Sequence, residues 1–348
     1  MTESTTNSYP WLTRDLPGIG GQLKIDPDDF VVEEIPAYLP SGEGQHLFLW
    51  IEKRDLPHDL LIRRLSQLLE TSPDDIGTAG IKDRRAVTRQ FVSVPVECLP
   101  RIDRLKSDQL QVLSSVPHGN KLRTGHLRGN RFTIVVRDVV QGAFERAMAI
   151  IRVLDQSGFP NYYGEQRFGH DGETLQLGLD LLAGRKQPRD IPYSKRKFLL
   201  RLALSSVQSD LFNRALAIRL EENLQRTVLE GDVLEVVESG GKFVSDDAAR
   251  DQERLDRGEL SVTGPMFGVK MLSPCGVTAD RESRLLEESG LSIETFSQYA
   301  RLMQGARRPF TVRPEKMTCV LTDRGLVLEF ALPSGVYATT CLRELMKT

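Results

Sequence analysis

The sequence has little of several things that mark particular kinds of protein. Its 348 residues include only four cysteines and five histidines. Cys98, Cys275, Cys319 and Cys341 are scattered with no C-x-x-C pair, and the histidines form no ligand-like cluster with them. Such spacing suits neither a disulfide framework nor a structural zinc, so neither is expected. Nowhere is there an apolar run of the about 18 residues that could cross a bilayer. The amino end, MTESTTNSYPWLTRDLPG, lacks the basic-then-apolar pattern of a secretory leader. A cytoplasmic protein without membrane attachment is the expectation. No repeat or low-complexity segment is present, and the length suggests two domains, each able to bury its own core.

Net charge is also small, −2, which argues against a general polyanion binder. Its distribution points the other way. Ala79 to Arg137 carries 12 Lys/Arg against 4 Asp/Glu, a local +8, whereas Leu229 to Glu259 carries 4 against 10, a local −6. This asymmetry allows one basic surface, the electrostatic footprint of nucleic-acid contact. A solvated face with no partner gives the same count.

The pattern along the chain begins with strands. LKIDPDDFVVEEI and QHLFLWIEKRD have strand-like content around a loop, SGEGQ. Leu61, Leu65, Leu68 and Leu69 then follow the spacing of one helix face, and RQFVSVPV and NRFTIVVRDV read as further strands. A helix follows from Gly142 and stops at Gly158. Composition shifts at NYYGEQRFGHDGET, a candidate junction. Beyond it come a long helix with Leu204, Val207, Leu211, Ala215 and Ile218 on its apolar face, a hairpin around Ser239–Gly241, and two helical stretches to about Gly305. The end returns to a hairpin turning at Asp323–Gly325 and a closing helix begun by Ser334. Strands, a mostly helical middle, then strands again describe an α+β domain with an inserted second domain.

The stretch AGIKDRRAVTRQFVSV places one carboxylate, Asp83, among Lys82, Arg84, Arg85 and Arg89. Nearby positive charge favours the ionised form of a carboxylate, which suits a nucleophile or base better than a proton donor. A salt-bridged aspartate at a turn fits the same pattern. No second carboxylate stands at fixed spacing, so a glycosidase-type acid pair is not visible. A second segment, HGNKLRTGHLRGNRFTIVVR, carries Lys121, Arg123, Arg128 and Arg131 among Gly119, Gly125 and Gly129 with no acid. Close backbone approach and cations suit a phosphate backbone; an exposed basic hairpin is the alternative. Phe30 and Phe330 begin as core candidates, yet an extruded base needs aromatic faces to stack on. The Asn130 amide can both donate to and accept from a pyrimidine edge.

These residues resemble the TruD family of tRNA pseudouridine synthases. AGIKDRRAVTRQ is similar to that family's G-x-K-D-x-x-A-x-T-x-Q signature, whose aspartate is catalytic. DFVVEE, SGEGQHLFLWIEK, LRGNRF, PNYYGEQRFG and LPSGVYATTCLREL resemble its other blocks, in the same order. The resemblance implies a catalytic domain with a mixed, largely antiparallel sheet, residues 1–160 plus 309–348, interrupted by a mostly helical α/β TRUD insertion domain, residues 161–308. It implies that Asp83 is the catalytic carboxylate and that Phe30, Asn130 and Phe330 hold the target nucleotide. Lys24 and Arg84 complete the substrate-binding set we expect.

The implied reaction isomerises a uridine at position 13 of tRNA, in the D-arm region, to pseudouridine. The N1–C1′ bond breaks and a C5–C1′ bond forms. No redox change occurs and no external group enters, so no cofactor and no metal are expected. The partner is tRNA; no protein partner is implied and a monomer is expected. Ionised Asp83 has three candidate first acts: attack on C1′, attack on C6, or removal of a ribose proton. Two rival readings use overlapping residues. A non-catalytic RNA-binding or chaperone protein has no need of Asp83, and a hydrolase of N-glycosidic bonds releases free uracil.

Overall fold

The computed structural model describes residues 9–348; residues 1–8, with part of the amino-terminal stretch read above, lie outside it. The chain divides into two compact units. One comprises Leu16–Asp155, Pro314–Ala338 and Leu345–Thr348, and the other residues 9–15, Gln156–Arg313 and Thr339–Glu344.

The first unit is built on β1 (Gly20–Gln22), β2 (Phe30–Pro36), β3 (His46–Arg54), α1 (His58–Leu69), β4 (Gly77–Thr78), β5 (Val87–Pro95), β6 (Leu110–His118) and β7 (Leu127–Val139), and the chain leaves it along α2 (Ala143–Ser157). The second holds β8 (Phe159–Pro160), α3 (Glu173–Leu182), α4 (Tyr193–Glu221), β9 (Val233–Val236), β10 (Lys242–Val244), α5 (Ala248–Asp256), β11 (Leu260–Met266), α6 (Gly276–Glu288), α7 (Ile293–Ser297), β12 (Ala306–Pro309) and β13 (Thr311–Val312). β14 (Glu315–Thr322) and β15 (Gly325–Pro333) return to the first unit, and α8 (Ala338–Met346) follows.

The sheet of the first unit runs β14-β15-β7-β2-β5-β3-β6, with β1 added on β7 and β4 on β5. Its pairs are antiparallel except β2 with β5. Leu61, Leu65 and Leu69 of α1 are fully buried in one core with Leu47, Leu49, Ile51, Val92 and Val94, whereas Leu68 sits at the exposed edge of the helix. Stripping this much apolar surface of water stabilises the unit by roughly 1.5–3 kcal/mol per large side chain. In the second unit a four-stranded sheet, β10-β9-β11-β12, accompanies the helices. Leu204, Val207 and Leu211 of α4 enter a core with Phe267 and Phe296; Ile218, expected on that face, is partly exposed.

The structure departs from the pattern reading at several elements, among them β11, β6 and the closing helix. β11 lies where helical stretches are expected, because its pairing with β9 and β12 brings together segments distant in the chain, which the local pattern does not state. A Cβ on Gly264 would collide with the Phe310 ring, so here the glycine admits a packed aromatic. β6 has no counterpart in the pattern reading; it is an edge strand with little burial alternation. The closing helix starts at Ala338, because the Ser334 amide donates to the Arg128 carbonyl at 3.0 Å and prolongs the strand-end turn.

Candidate active site

Strand register gathers the expected residues on one sheet face. Phe30 lies opposite Ile134, and Phe132 opposite both Val32 and Phe330; Glu34 and Leu332 both face Asn130. Thr88 pairs with Val32 and with Lys53, and Gln90 with Ile51. Directly paired residues share a face, and alternate residues of a strand return to it. Phe30, Glu34, Lys53, Thr88, Gln90, Asn130 and Phe330 therefore occupy the same side of β15-β7-β2-β5-β3. Val87, Arg89 and Phe91 alternate to the other side. The signature's threonine and glutamine thus fall at alternate positions, and both are fully buried.

Asp83 stands on the loop between β4 and β5, its side chain 46% exposed. Lys24 Nζ lies 3.2 Å from Asp83 Oδ2 and 4.1 Å from the centre of the Phe30 ring. One ammonium thus bridges carboxylate and aromatic face, a cation–π contact backed by an ion pair. Lys24 adopts φ +57°, a left-handed conformation that costs a side-chain-bearing residue energy. The turn that follows is locked: Arg137 donates twice to Asp29, both at 2.8 Å, and Arg324 donates to the same carboxylate at 2.9 Å. Burial works to raise the Asp29 carboxyl, but the hydrogen bonds and charge of Arg137, the Asp26 amide and Arg324 together outweigh it and hold it below the ordinary range.

Lys53 fixes the loop from beneath. It is fully buried, and its Nζ donates to the Leu56 carbonyl at 2.8 Å and to the main-chain carbonyl of Asp83 at 2.9 Å. Burial lowers its pKa to about 8, against the pull of Asp83 and Asp55; Lys82 pushes the same way as burial. The loop is further tied by the Gly125 amide to the Ala79 carbonyl at 2.8 Å and by the Asp55 amide to the Ala86 carbonyl at 3.1 Å. Asp83 is therefore an exposed side chain on a backbone held at both ends and in the middle.

Lys82 points inward. Its Nζ lies 3.0 Å from Glu34 Oε2 and directs its hydrogen bond to Asn130 Oδ1 at 2.7 Å. Burial raises the Glu34 carboxyl above the ordinary range, against the attraction of Lys82. An ammonium only donates, so it fixes the Asn130 oxygen toward Lys82 and leaves the amide hydrogens as the donors of that side chain.

The cations next to Asp83 in sequence are engaged elsewhere. Lys82 is buried against Glu34, Arg84 approaches Asp55 at 3.7 Å, and Arg85 is exposed. Arg89 belongs to a ladder on the opposite sheet face, 2.9 Å from Glu52 and 3.4 Å from Glu33, with Arg131 on the same Glu33 at 3.4 Å. The ion pair comes instead from Lys24, and the loop support from Lys53. Sequence reasoning misses Lys53 because a lysine in a strand reads as solvent-facing; its position in step with Leu49 and Ile51 is the available signal. Phe30 and Phe330 are 1% and 2% exposed. Phe132 stands between them, edge-on to Phe30 at 6.2 Å and stacked on Phe330 at 5.4 Å.

Fold and site together describe an α+β protein that presents a lysine-paired, solvent-facing aspartate on a pinned loop at a mixed sheet. The chain belongs to the family described as tRNA pseudouridine synthase D (TruD), whose model matches residues 8–188 and 194–345. It is 42% identical over 338 residues to the tRNA pseudouridine synthase D of Anaeromyxobacter sp. strain Fw109-5, covering 97% of this chain and 96% of that protein. It is also 42% identical over 340 residues to a tRNA pseudouridine synthase D of Thermus thermophilus, covering 97% and 92%. A solved structure from Methanosarcina mazei, titled as a putative tRNA pseudouridine synthase D (TruD), superposes with a TM-score of 0.79 at 26% identity, over 99% of this chain and 98% of that one.

Proposed function

We propose that this protein is a tRNA pseudouridine synthase that isomerises the uridine at position 13, with Asp83 as its catalytic carboxylate. The observation that carries the reading is the Lys24–Asp83 pair. A carboxylate 46% exposed, held on one side by a single ammonium and on a fixed backbone, has an oxygen available to a substrate. Family membership supplies the substrate class, and names shared by relatives at 42% identity support it.

In this reading the unit containing the sheet is the catalytic domain and the unit built on Gln156–Arg313 is the TRUD insertion. Uridine is extruded from the RNA, because its reacting atoms are hidden in a stack. The Asn130 amide hydrogens donate to a uracil oxygen, and Phe30 and Phe330 form the apolar wall of the base site. Lys24 covers the Phe30 ring in the free protein, so a base stacking on that ring displaces it toward the phosphate or the carboxylate. Arg84, 68% exposed and only loosely paired, meets a flanking phosphate. Asp83 acts on the nucleoside while N1–C1′ breaks; C5 then joins C1′, the C5 proton leaves and N1 gains one, so nothing is added or removed overall. The protein works as a monomer in the cytoplasm.

The test is nucleoside analysis of tRNA treated with the protein. Pseudouridine at position 13, absent when that uridine is replaced by cytidine, is the expected result. Unchanged uridine favours a binding protein, and free uracil favours a hydrolase.

A further inference from the structure

The sheet unit has a concave site apart from Asp83. A cavity of about 700 Å³ is lined by Tyr38, His46, His118, His126, Lys121 and Arg123, with Leu39 and Asn120 at its margin. That volume lies within the roughly 300–1,000 Å³ of small-ligand pockets. Its lining holds flat rings and cations and no carboxylate. Tyr38 stacks on His118 with centroids 5.3 Å apart, and its hydroxyl lies 2.7 Å from His126 Nδ1, yet 36% of the residue remains exposed.

The site is built rather than incidental. The Ser41 amide donates to His118 Nδ1 at 3.1 Å, which leaves Nε2 to carry that ring's proton. The Gly42 amide donates to the Pro117 carbonyl at 2.9 Å. Gly44, at φ +128°, approaches so closely that a Cβ there would fall 2.5 Å from the main chain of His118 and Gly119. The loop SGEGQ is therefore shaped to form this wall. His46 Nδ1 is buried with no hydrogen-bond partner among the described residues. Lys121 donates to the Asp74 carbonyl, and Arg123 is exposed.

His46 alternates with Lys53 along β3, so the cavity opens on the face opposite Phe30, Lys53 and Asn130. Its loop, residues 119–126, is nevertheless joined to the loop bearing Asp83 through the Gly125–Ala79 hydrogen bond. We propose that this cavity takes one unpaired nucleotide of the RNA substrate, distinct from the nucleotide presented to Asp83. Its base stacks among Tyr38 and the imidazoles, and its phosphate meets Arg123 and Lys121. The basic segment singled out in the sequence thus has a place, with Lys121 and Arg123 at this nucleotide while Arg131 serves the strand ladder. The proposal rests on the reading that the substrate is RNA.

The experiment measures binding of the full chain to tRNA, to a short oligouridylate and to uridine monophosphate. Because base–aromatic stacking carries about 1–3 kcal/mol, Tyr38→Ala is expected to weaken oligouridylate binding about fivefold to a hundredfold. Tyr38→Phe, which keeps the ring, stays within about threefold of the parent. Arg123→Gln weakens binding and reduces the salt slope by about one. Arg63→Gln, an exposed arginine on α1 outside the cavity, is the control for loss of general charge. Thermal denaturation monitors folding, and if Tyr38→Ala unfolds, Arg123→Gln and Tyr38→Phe decide.

Affinity unchanged in Tyr38→Ala and Arg123→Gln overturns the proposal. Equal losses in Arg123→Gln and Arg63→Gln, uridine monophosphate binding that ignores Tyr38→Ala, or preference for an acidic peptide over RNA also overturns it. If oligouridylate binding depends on both residues while the protein makes no pseudouridine, the cavity stands and the enzymatic reading falls. If pseudouridine forms but binding is indifferent to both, the cavity falls alone.

Discussion

In the unit built on Gln156–Arg313, Arg219 grips Asp232 through two nitrogens at 2.9 and 2.5 Å, and Arg307 grips Glu282 at 2.5 and 3.0 Å. In the sheet unit, Lys24 meets Asp83 through one contact of 3.2 Å. Asp232 is fully buried and also accepts from Thr278 at 2.8 Å and from the Leu229 amide at 2.8 Å, whereas Asp83 is 46% exposed. A carboxylate with every lone pair committed in a dry interior has nothing left for a ligand. One with a single partner at the surface keeps an oxygen for chemistry and adds little stability. Charge in the first setting specifies structure, and charge in the second is available for function.

Substitutions that exchange these roles would break the comparison. The largest effect is expected at Asp83→Asn. An amide of the same shape is a poor nucleophile and base, so pseudouridine formation falls by about a thousandfold or more while tRNA affinity persists. Single-turnover assays beside filter binding measure both, and turnover within about tenfold of the parent would remove Asp83 from the mechanism. Next is Arg219→Met, which strands a buried carboxylate. It is expected to cost about 3–5 kcal/mol of folding stability in urea denaturation; a loss below about 1 kcal/mol would contradict the closed-pair account.

Lys24→Ala sharpens the contrast from the other side. It should change stability by less than about 1 kcal/mol, since the pair is half-exposed, while slowing single turnover about tenfold to a hundredfold. Equal rate with lost stability would make Lys24 structural. Phe30→Ala and Phe330→Ala test the base-site wall, and their burial predicts a cost of about 3–5 kcal/mol in stability for either role. Only a reduced rate in the folded fraction assigns them to the nucleotide; normal rate there returns both to the core.

The last expected effect concerns pH. Lys53 titrates at about 8 in the folded protein because burial disfavours its charge, against 10.5 for an ordinary lysine. Between these values the unfolded chain holds a proton that the native chain has released, so the parent gains stability relative to Lys53→Met as pH rises through that window. The groups acting on it are Asp83, Asp55 and Lys82, with His58 feeling its charge in turn. Denaturation curves for both proteins on either side of about pH 8 measure the difference; a constant gap would mean that Lys53 is not titrating as a buried lysine.

The sequence makes some of this arrangement legible and hides the rest for physical reasons. Strand alternation announces β3, β5, β7 and the final hairpin, and leucine spacing announces α1, because burial periodicity is a local signal. Asp83 stands out as a lone acid. Its partner does not, because pairing with Lys24 requires a left-handed backbone and a turn locked by Arg137 on another strand. Arg89 looks like a neighbour of Asp83 in sequence, yet the intervening loop and strand place it on the far face. Lys53 is hinted at only by its step with Leu49 and Ile51, and the basic segment of the cavity shows in the sequence while the rings that meet it do not, because the local pattern does not state which strands and loops come together.

The central claim is that the protein breaks N1–C1′ and rejoins the same base through C5. The most direct measurement uses tRNA carrying tritium at uridine C5 and compares the parent protein with Asp83→Asn. Rearrangement predicts tritium released to water by the parent, in amounts equal to the pseudouridine recovered within the tRNA, and none released by the variant. Label emerging as free uracil, or remaining wholly on intact uridine, would contradict the account.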